Sequence, residues 1–496
     1  MKSILITGAN IVNEGRITPG DVLIREGRIT KIGPNLSQEA ADIHLDGHGK
    51  HLFPGTIDDQ VHFREPGLTQ KGEIYTEAKA GVAGGTTSYM EMPNTVPQAV
   101  TIELLEEKYA RAKDVSLANY SFYLGGTNDN LDEILKLDLE NVCGLKVFQG
   151  SSTGNMVVDN IESLEGIFKE YKGLLAIHSE NDHIIKGNLE EYKKTYGDDI
   201  PVKFHPKIRS EEACYDASSR AVAMAKKYGT RLHILHISTA KELGLFDNTI
   251  PLEEKKITAE ACIHHMWFAE EDYDTQGNLI KWNPAVKTAH DREALWQALL
   301  NDTIDVIATD HAPHTLEEKD NKYLKCPSGA PLVQYSLPVM FEYFKKGKIT
   351  LEKVVEKIKN FSNCTYFPPV RYEELNDLLC NADLHILFQK NTVVDTVMPS
   401  KILGMMASAK PSIVTGHEES EVKHNFEVSN GGFYYYEENK LDEILKQIKY
   451  LIESPQDSIE IGNNARKFII EKFSMNSILN NYEQNTQEIV SKESKN

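Results

Sequence analysis

Between about residues 52 and 345, apolar strand-like runs alternate with amphipathic helical stretches, and no other feature constrains the fold more. The runs include 86–90, 144–148, 174–178, 232–237 and 304–309, with helical patterns such as 73–84 and 218–228 between them. Each run is short and rich in Val, Ile, Leu and Thr, the pattern of strands buried on both faces. Strand–helix units repeated over ~290 residues predict a parallel α/β domain, and a closed TIM-type barrel fits that length best. The flanks differ. Residues 1–51 read as short strands broken at Gly or Asn, and predict a small antiparallel sheet domain. Beyond residue 357 a second α/β pattern begins: helix-like 372–380, a strand at 383–388, helix-like 400–409 and a long charged helical region, 441–473. The predicted divisions are 1–51, 52–357, 358–480 and a polar tail, 481–496, with no low-complexity linker between them.

Composition removes several function classes. With 54 basic and 74 acidic residues the 496-residue chain carries a formal charge of −20, which argues against nucleic acid or anionic membrane as a partner. An anionic substrate must therefore meet a local cationic site. The six cysteines are scattered without a CxxC pair, so neither a disulfide framework nor a thiolate zinc site is expected. No apolar run approaches the ~20 residues needed to cross a bilayer, and residues 1–12 alternate like a strand rather than a signal peptide. The expected setting is cytoplasmic and the expected partner a small molecule, with self-association left open.

Five side chains suited to a metal centre fall at predicted strand ends: His62, Lys146, His178, His236 and Asp310. At ~30–40 residues per strand–helix unit, their spacing assigns them to strands one, four, five, six and eight. Barrel strands present their C-terminal ends at one mouth, so distant residues can converge there. Neutral imidazoles and a carboxylate suit Zn²⁺, which lowers the pKa of a bound water to ~7. An ammonium cannot be a ligand. A buried Lys146 beside cations, however, would lose its proton readily, and a neutral amine can take up CO₂ to become an anionic carbamate.

The stretches PGTIDDQVHFREPG (54–67), EMPNTVP (91–97), LKVFQGSSTGNM (145–156), HPKIRSEEAC (205–214), KWNPAVKT (281–288) and ATDHAPH (308–314) resemble the amidohydrolase superfamily, specifically its dihydroorotase branch. The resemblance implies a zinc-dependent barrel that reversibly hydrolyses dihydroorotate to N-carbamoyl-aspartate in pyrimidine biosynthesis, with one or two Zn²⁺ and a CO₂-derived lysine carbamate. It implies metal positions at His62, Lys146, His178, His236 and Asp310, with Asp310 also the acid–base catalyst, and substrate positions at Arg64, Asn94, Asn283 and His314. Arg64, two residues beyond His62, is expected to point the same way along the strand and to offer a planar fork to the substrate carboxylate. The superfamily's usual His-x-His pair is Gln60-Val61-His62 here, and a glutamine carbonyl is a weaker zinc ligand than imidazole. The alternatives are a dihydropyrimidinase- or allantoinase-like hydrolase, and an inactive chimeric scaffold.

The C-terminal part does not continue that resemblance. Residues 365–389, 397–416 and 429–436 are instead similar to the donor-binding half of a GT-B family 4 glycosyltransferase, a Rossmann-like α/β half domain. Ser400 and Lys401 fall where a helix N-terminus would receive a nucleotide-sugar diphosphate. A lone half cannot form the interdomain cleft, which argues against transferase activity and leaves a vestigial site. The chain then reads as a chimera with its seam near residues 352–364.

Overall fold

The structure, a computed structural model, describes residues 2–150, 156–358, 379–380, 382–388, 400–436, 440–474 and 477. The expected seam beyond residue 358, most of the 372–380 helix and the 481–496 tail lie outside the described residues, as do the side chains of Ser400 and Lys401.

The N-terminal strands are β1 (Ile4–Asn13), β2 (Arg16–Arg25), β3 (Arg28–Gly33), β4 (Ile43–Asp46) and β5 (His51–Leu52). Two Glu-Gly turns join the first three. Glu14-Gly15 and Glu26-Gly27 all have positive φ, which matches the twist of a two-residue hairpin and explains the glycines. The sheet is mixed rather than antiparallel: β2 and β3 are antiparallel, but β4 and β5 both pair with β1 in parallel. The chain between β3 and β4 carries it back to the start of β1, and local pattern gives no sign of that crossover. Val22 and Leu23 are buried, whereas Ile29 and Ile32 are exposed.

Eight parallel strands follow: β6 (Thr56–Val61), β7 (Thr86–Glu91), β8 (Asn119–Gly125), β9 (Gly144–Gln149), β10 (Leu174–Ser179), β11 (Arg231–Ile234), β12 (Ile257–Cys262) and β13 (Val306–Ala308). They lie in sequence order, and a parallel bridge between Val61 and His311 brings the last strand back to the first. His62 N–H donates to His311 O at 2.6 Å across that join. The fold is thus an α/β barrel of the TIM type with a small N-terminal sheet. Its core runs through alternate strand residues such as Leu145, Val147, Leu175 and Ile177 against helices at Ile161–Glu170 and Glu211–Tyr228. The latter helix starts seven residues before the periodic pattern does, because Ser210 caps it: its Oγ accepts from Ala213 N–H. Helix Leu351–Ile358 turns Val354 and Ile358 into the barrel core and Leu351 and Val355 onto Val12 and Phe53.

The chain divides into two compact units. One comprises 8–19 and 47–364; the other gathers 1–7, 20–46 and 365–496. In the second, β14 (His385–Phe388), β15 (Ser412–Thr415) and β16 (Phe433–Tyr435) form a parallel sheet in that order. Alternation along β15 sends Val414 into a cluster with Ile402, Met406 and Phe426, and Ile413 into another with Ile444 and Leu451, so both faces are covered. The expected long C-terminal helix is two, Leu441–Glu453 and Pro455–Phe473. Pro455 has no N–H to continue the first helix but suits the first turn of the second.

Candidate active site

The sequence expectations converge on one cavity of about 760 Å³ at the C-terminal end of the barrel. Its lining includes Gln60, His62, Arg64, Asn94, Lys146, His178, His236, Asn283, Asp310 and His314. Gln60 stands on barrel strand one and Lys146 and His178 on strands four and five. His62, His236 and Asp310 lie just beyond the ends of strands one, six and eight. Of the dihydroorotase-like stretch at 145–156, residues 151–155 lie outside the described residues.

Backbone geometry marks the site. Arg64, His236 and Asp310 all have positive φ, at 70°, 41° and 47°. Such conformations cost a non-glycine residue ~1–3 kcal/mol and persist only where surrounding structure enforces them. They also correct the expectation for Arg64. Strand alternation does not deliver it to the mouth, because β6 ends at Val61; a left-handed turn does.

Hydrogen bonds fix which ring nitrogens keep lone pairs. His62 Nδ1–H donates to Asn94 Oδ1 at 2.7 Å, leaving Nε2 facing Asp310 Oδ1 at 3.1 Å. His178 Nε2–H donates to Glu180 Oε2 at 3.0 Å, so Nδ1 is left facing His236 Nε2 at 2.9 Å. Glu180 is itself paired with Arg209, and despite the opposing effect of burial that guanidinium and His178 hold its carboxyl down to about 2. Burial pushes the His62, His178 and His236 imidazoles toward neutrality, His236 well below its usual range. These are neutral, lone-pair-bearing nitrogens, the form in which histidine binds a metal.

Lys146 is fully buried, and its Nζ has no hydrogen-bond partner among the described residues. Burial lowers its pKa to about 7, so a large fraction is neutral amine near physiological pH. An orphaned amine beside paired imidazoles and a carboxylate fits a metal centre. Gln60 shares the site: its Nε2–H donates to Asp310 Oδ1 at 3.2 Å. That bond turns the amide nitrogen toward Asp310 and orients the carboxylate.

The cavity's other flank is cationic. Arg64 is buried, with Nε–H donating to Pro313 O at 3.1 Å and Nη2–H to His314 Nε2 at 3.0 Å. Lys71, absent from the sequence expectations, lies 3.2 Å from His314 Nδ1 and pairs with Glu318. Asn283 Oδ1 accepts from Ser328 Oγ–H at 3.0 Å. Sequence reasoning also missed Glu180 and Arg209. The His178-Ser179-Glu180 alternation puts Glu180 on the same strand face as His178, and was the available signal.

Residues 49–242 match the family model described as dihydro-orotase-like. The chain is 30% identical to a dihydroorotase of Methanosarcina mazei over 72% of its own length and 78% of the relative's. It is also 30% identical to an allantoinase of Solibacter usitatus, over 72% and 78%. The chain belongs to the dihydro-orotase-like family. A solved L-hydantoinase (dihydropyrimidinase) from Arthrobacter aurescens superposes with a TM-score of 0.69 at 27% identity, covering 73% of this chain and 81% of that one. As a member of this family the protein is a hydrolase of the cyclic amidohydrolase type. Among the described residues no helix is long and apolar enough to cross a membrane.

Proposed function

We propose that the protein is a zinc-dependent dihydroorotase, opening the ring amide of dihydroorotate to N-carbamoyl-aspartate. The observation that carries this reading is Arg64, a buried guanidinium in the same cavity as Asp310 and the three histidines. Uncarboxylated ring amides give such a cation nothing to pair with, whereas a carboxylate can accept two of its parallel N–H bonds. His62, His178, His236 and Asp310 would hold the metal, with Gln60 beside them and Lys146, as its carbamate, completing the donor set. A zinc ion supplies the Lewis acidity that amide hydrolysis at neutral pH requires. Asp310 takes the proton of the attacking water on its carboxylate and returns it to the leaving ring nitrogen, base and then acid. The bond it accepts from Gln60 holds the carboxylate in one orientation for both transfers. Asn94 serves by keeping His62 in the required tautomer, and Asn283 and His314 complete the substrate wall with Arg64.

One observation favours a second reading. The Arg64 guanidinium already spends Nε–H and one Nη2–H on Pro313 and His314, as a structural arginine would. The substrate would then be an uncarboxylated ring of the kind named for the allantoinase and L-hydantoinase relatives. Hydrolysis rates on dihydroorotate and dihydrouracil separate the two. Arg64→Gln should lower kcat/KM on dihydroorotate ~10²-fold, about 3 kcal/mol, and leave any dihydrouracil rate nearly unchanged. Equal losses on both would move the assignment to the second reading.

We also propose that the C-terminal region is a glycosyltransferase-like half domain joined to the barrel in a chimeric gene. The support is a parallel three-stranded sheet with apolar clusters on both faces and a helix beginning at Ser400. Resequencing the gene across codons 345–370 tests the junction, and a frame break there would refute a continuous fusion.

A further inference from the structure

A second donor cluster lies inside the barrel, below the mouth. Asp59 on β6, His233 on β11 and Glu260 on β12 are all buried, with potential ligand atoms within 4.8 Å of one another. His233 Nε2 is 3.3 Å from Asp59 Oδ2 and 3.6 Å from Glu260 Oε2. With ligand bonds of ~2.1 Å, these are edge lengths of a tetrahedral coordination shell. His233 stands three residues before His236 along the chain, about 10 Å of extended backbone from the mouth.

Three observations point to a cation there. His233 Nδ1–H donates to Thr258 Oγ1 at 2.7 Å, and the Thr258 hydroxyl is in turn within 3.4 Å of Leu232 O. The ring is therefore oriented from behind, with Nε2 aimed between the carboxylates, the arrangement that supports metal-bound histidines. Asp59 Oδ1 and Glu260 Oε2 are buried without a hydrogen-bond donor among the described residues. Finally, the ion pairs of both carboxylates among the described residues run to His233. With both carboxylates ionised, a proton on His233 would leave the trio one negative charge in excess. Burial and the neighbouring Asp59 push Glu260 up to about 7, so either a second proton on Glu260 or a divalent ion with neutral imidazole balances the charge. Buried charge without compensation is strongly disfavoured. A cavity of about 600 Å³ lined by Asp59, Tyr123, His233 and Thr258 supplies the route in.

We propose that Asp59, His233 and Glu260 form a further divalent transition-metal site within the barrel, distinct from the mouth site and loaded independently of it. Its mixed nitrogen and oxygen donors suit Zn²⁺ or Co²⁺ over Mg²⁺ or Ca²⁺. The site spans strands one, six and seven, so the ion ties strand one to a neighbouring pair of strands with which it makes no ladder among the described residues.

The test uses the full chain with the mouth site broken by His62→Asn, His178→Asn and His236→Asn, stripped with chelator and reloaded with Zn²⁺. After gel filtration, elemental analysis should find one equivalent of zinc retained, and X-ray absorption should show one nitrogen and two or more oxygens without sulfur. Adding Asp59→Asn should weaken that zinc at least 100-fold by chelator competition. Thr258→Val, which removes no ligand, should weaken it 10–100-fold. Circular dichroism checks that each variant folds, and Thr258→Val keeps the comparison available if Asp59→Asn does not. No zinc in the background variant, or zinc unaffected by the folded Asp59 or Thr258 variants, overturns the proposal in favour of a bridging imidazolium. Either result leaves the reading of the mouth site untouched.

Discussion

Arg209→Leu is the most informative single change at the mouth, because it alters a carboxylate that alters a histidine. Glu180 is fully buried, and Arg209 is the cation paired with it while His178 donates to the same oxygen. Removing the guanidinium leaves a carboxylate in the barrel wall with its main charge partner gone. Breaking one side of a buried pair costs ~3–5 kcal/mol. For a barrel of about 300 residues with an unfolding entropy of ~2.1 cal/mol/K per residue, that is a drop of about 5–8 °C in Tm. The second effect is on metal. Without a fixed Glu180, His178 loses the acceptor that keeps Nδ1 free, and zinc affinity at the mouth should fall 10–100-fold. Adding Glu180→Gln separates the two. The double variant buries no unpaired charge, so most of the lost Tm should return, while the weak zinc affinity should not. Thermal unfolding of metal-free protein reads the first effect and chelator competition the second. An Arg209→Leu variant within 1 °C of wild type, or a double variant no more stable than the single, would refute the argument.

Two further outcomes follow from the same structure. Asp310→Asn should lower kcat at least 10²-fold in folded protein, because an amide cannot carry the proton between water and leaving nitrogen; a kcat within tenfold of wild type contradicts the assigned role. Asp302 accepts from Lys353 at 2.5 Å and pairs with Lys357 at 2.7 Å, and against the effect of burial these bonds hold it down to about 2. A folded pKa below the unfolded value of ~3.9 means its contribution is complete above about pH 4 and lost as pH falls toward 2. Urea midpoints of wild type and Asp302→Asn should therefore differ at pH 5 and converge by pH 2, and parallel curves across that window would disprove the linkage.

What could be read from sequence was whatever repeats or alternates. Five of the eight barrel strands follow from short apolar runs and the closed barrel from the length of the alternating region, and the mouth follows because successive strand ends share one side of a barrel. Features set by distant partners could not be read. The parallel return of β4 and β5 onto β1 depends on a crossover with no local signature, so the sheet looked antiparallel. Ser454-Pro455, by contrast, was legible and overlooked: a proline inside a helical pattern ends one helix and starts another.

The site shows the same division at finer scale. His178 and Glu180 share a strand face by period two, yet nothing in the sequence says that Arg209 reaches Glu180 or that Asn94 reaches His62. Arg64 was placed in the cavity by a rule that does not operate there, since β6 has ended and φ is positive. The three left-handed residues, Arg64, His236 and Asp310, each follow a barrel strand whose ladder has just stopped. Free of the ladder, the backbone can turn a side chain inward at a position where the pleat would send it elsewhere. The cost of ~1–3 kcal/mol at each is met by the rigid strands beneath. The mouth therefore depends on strand termination as much as on strand order, and termination is set by packing that only the folded barrel supplies.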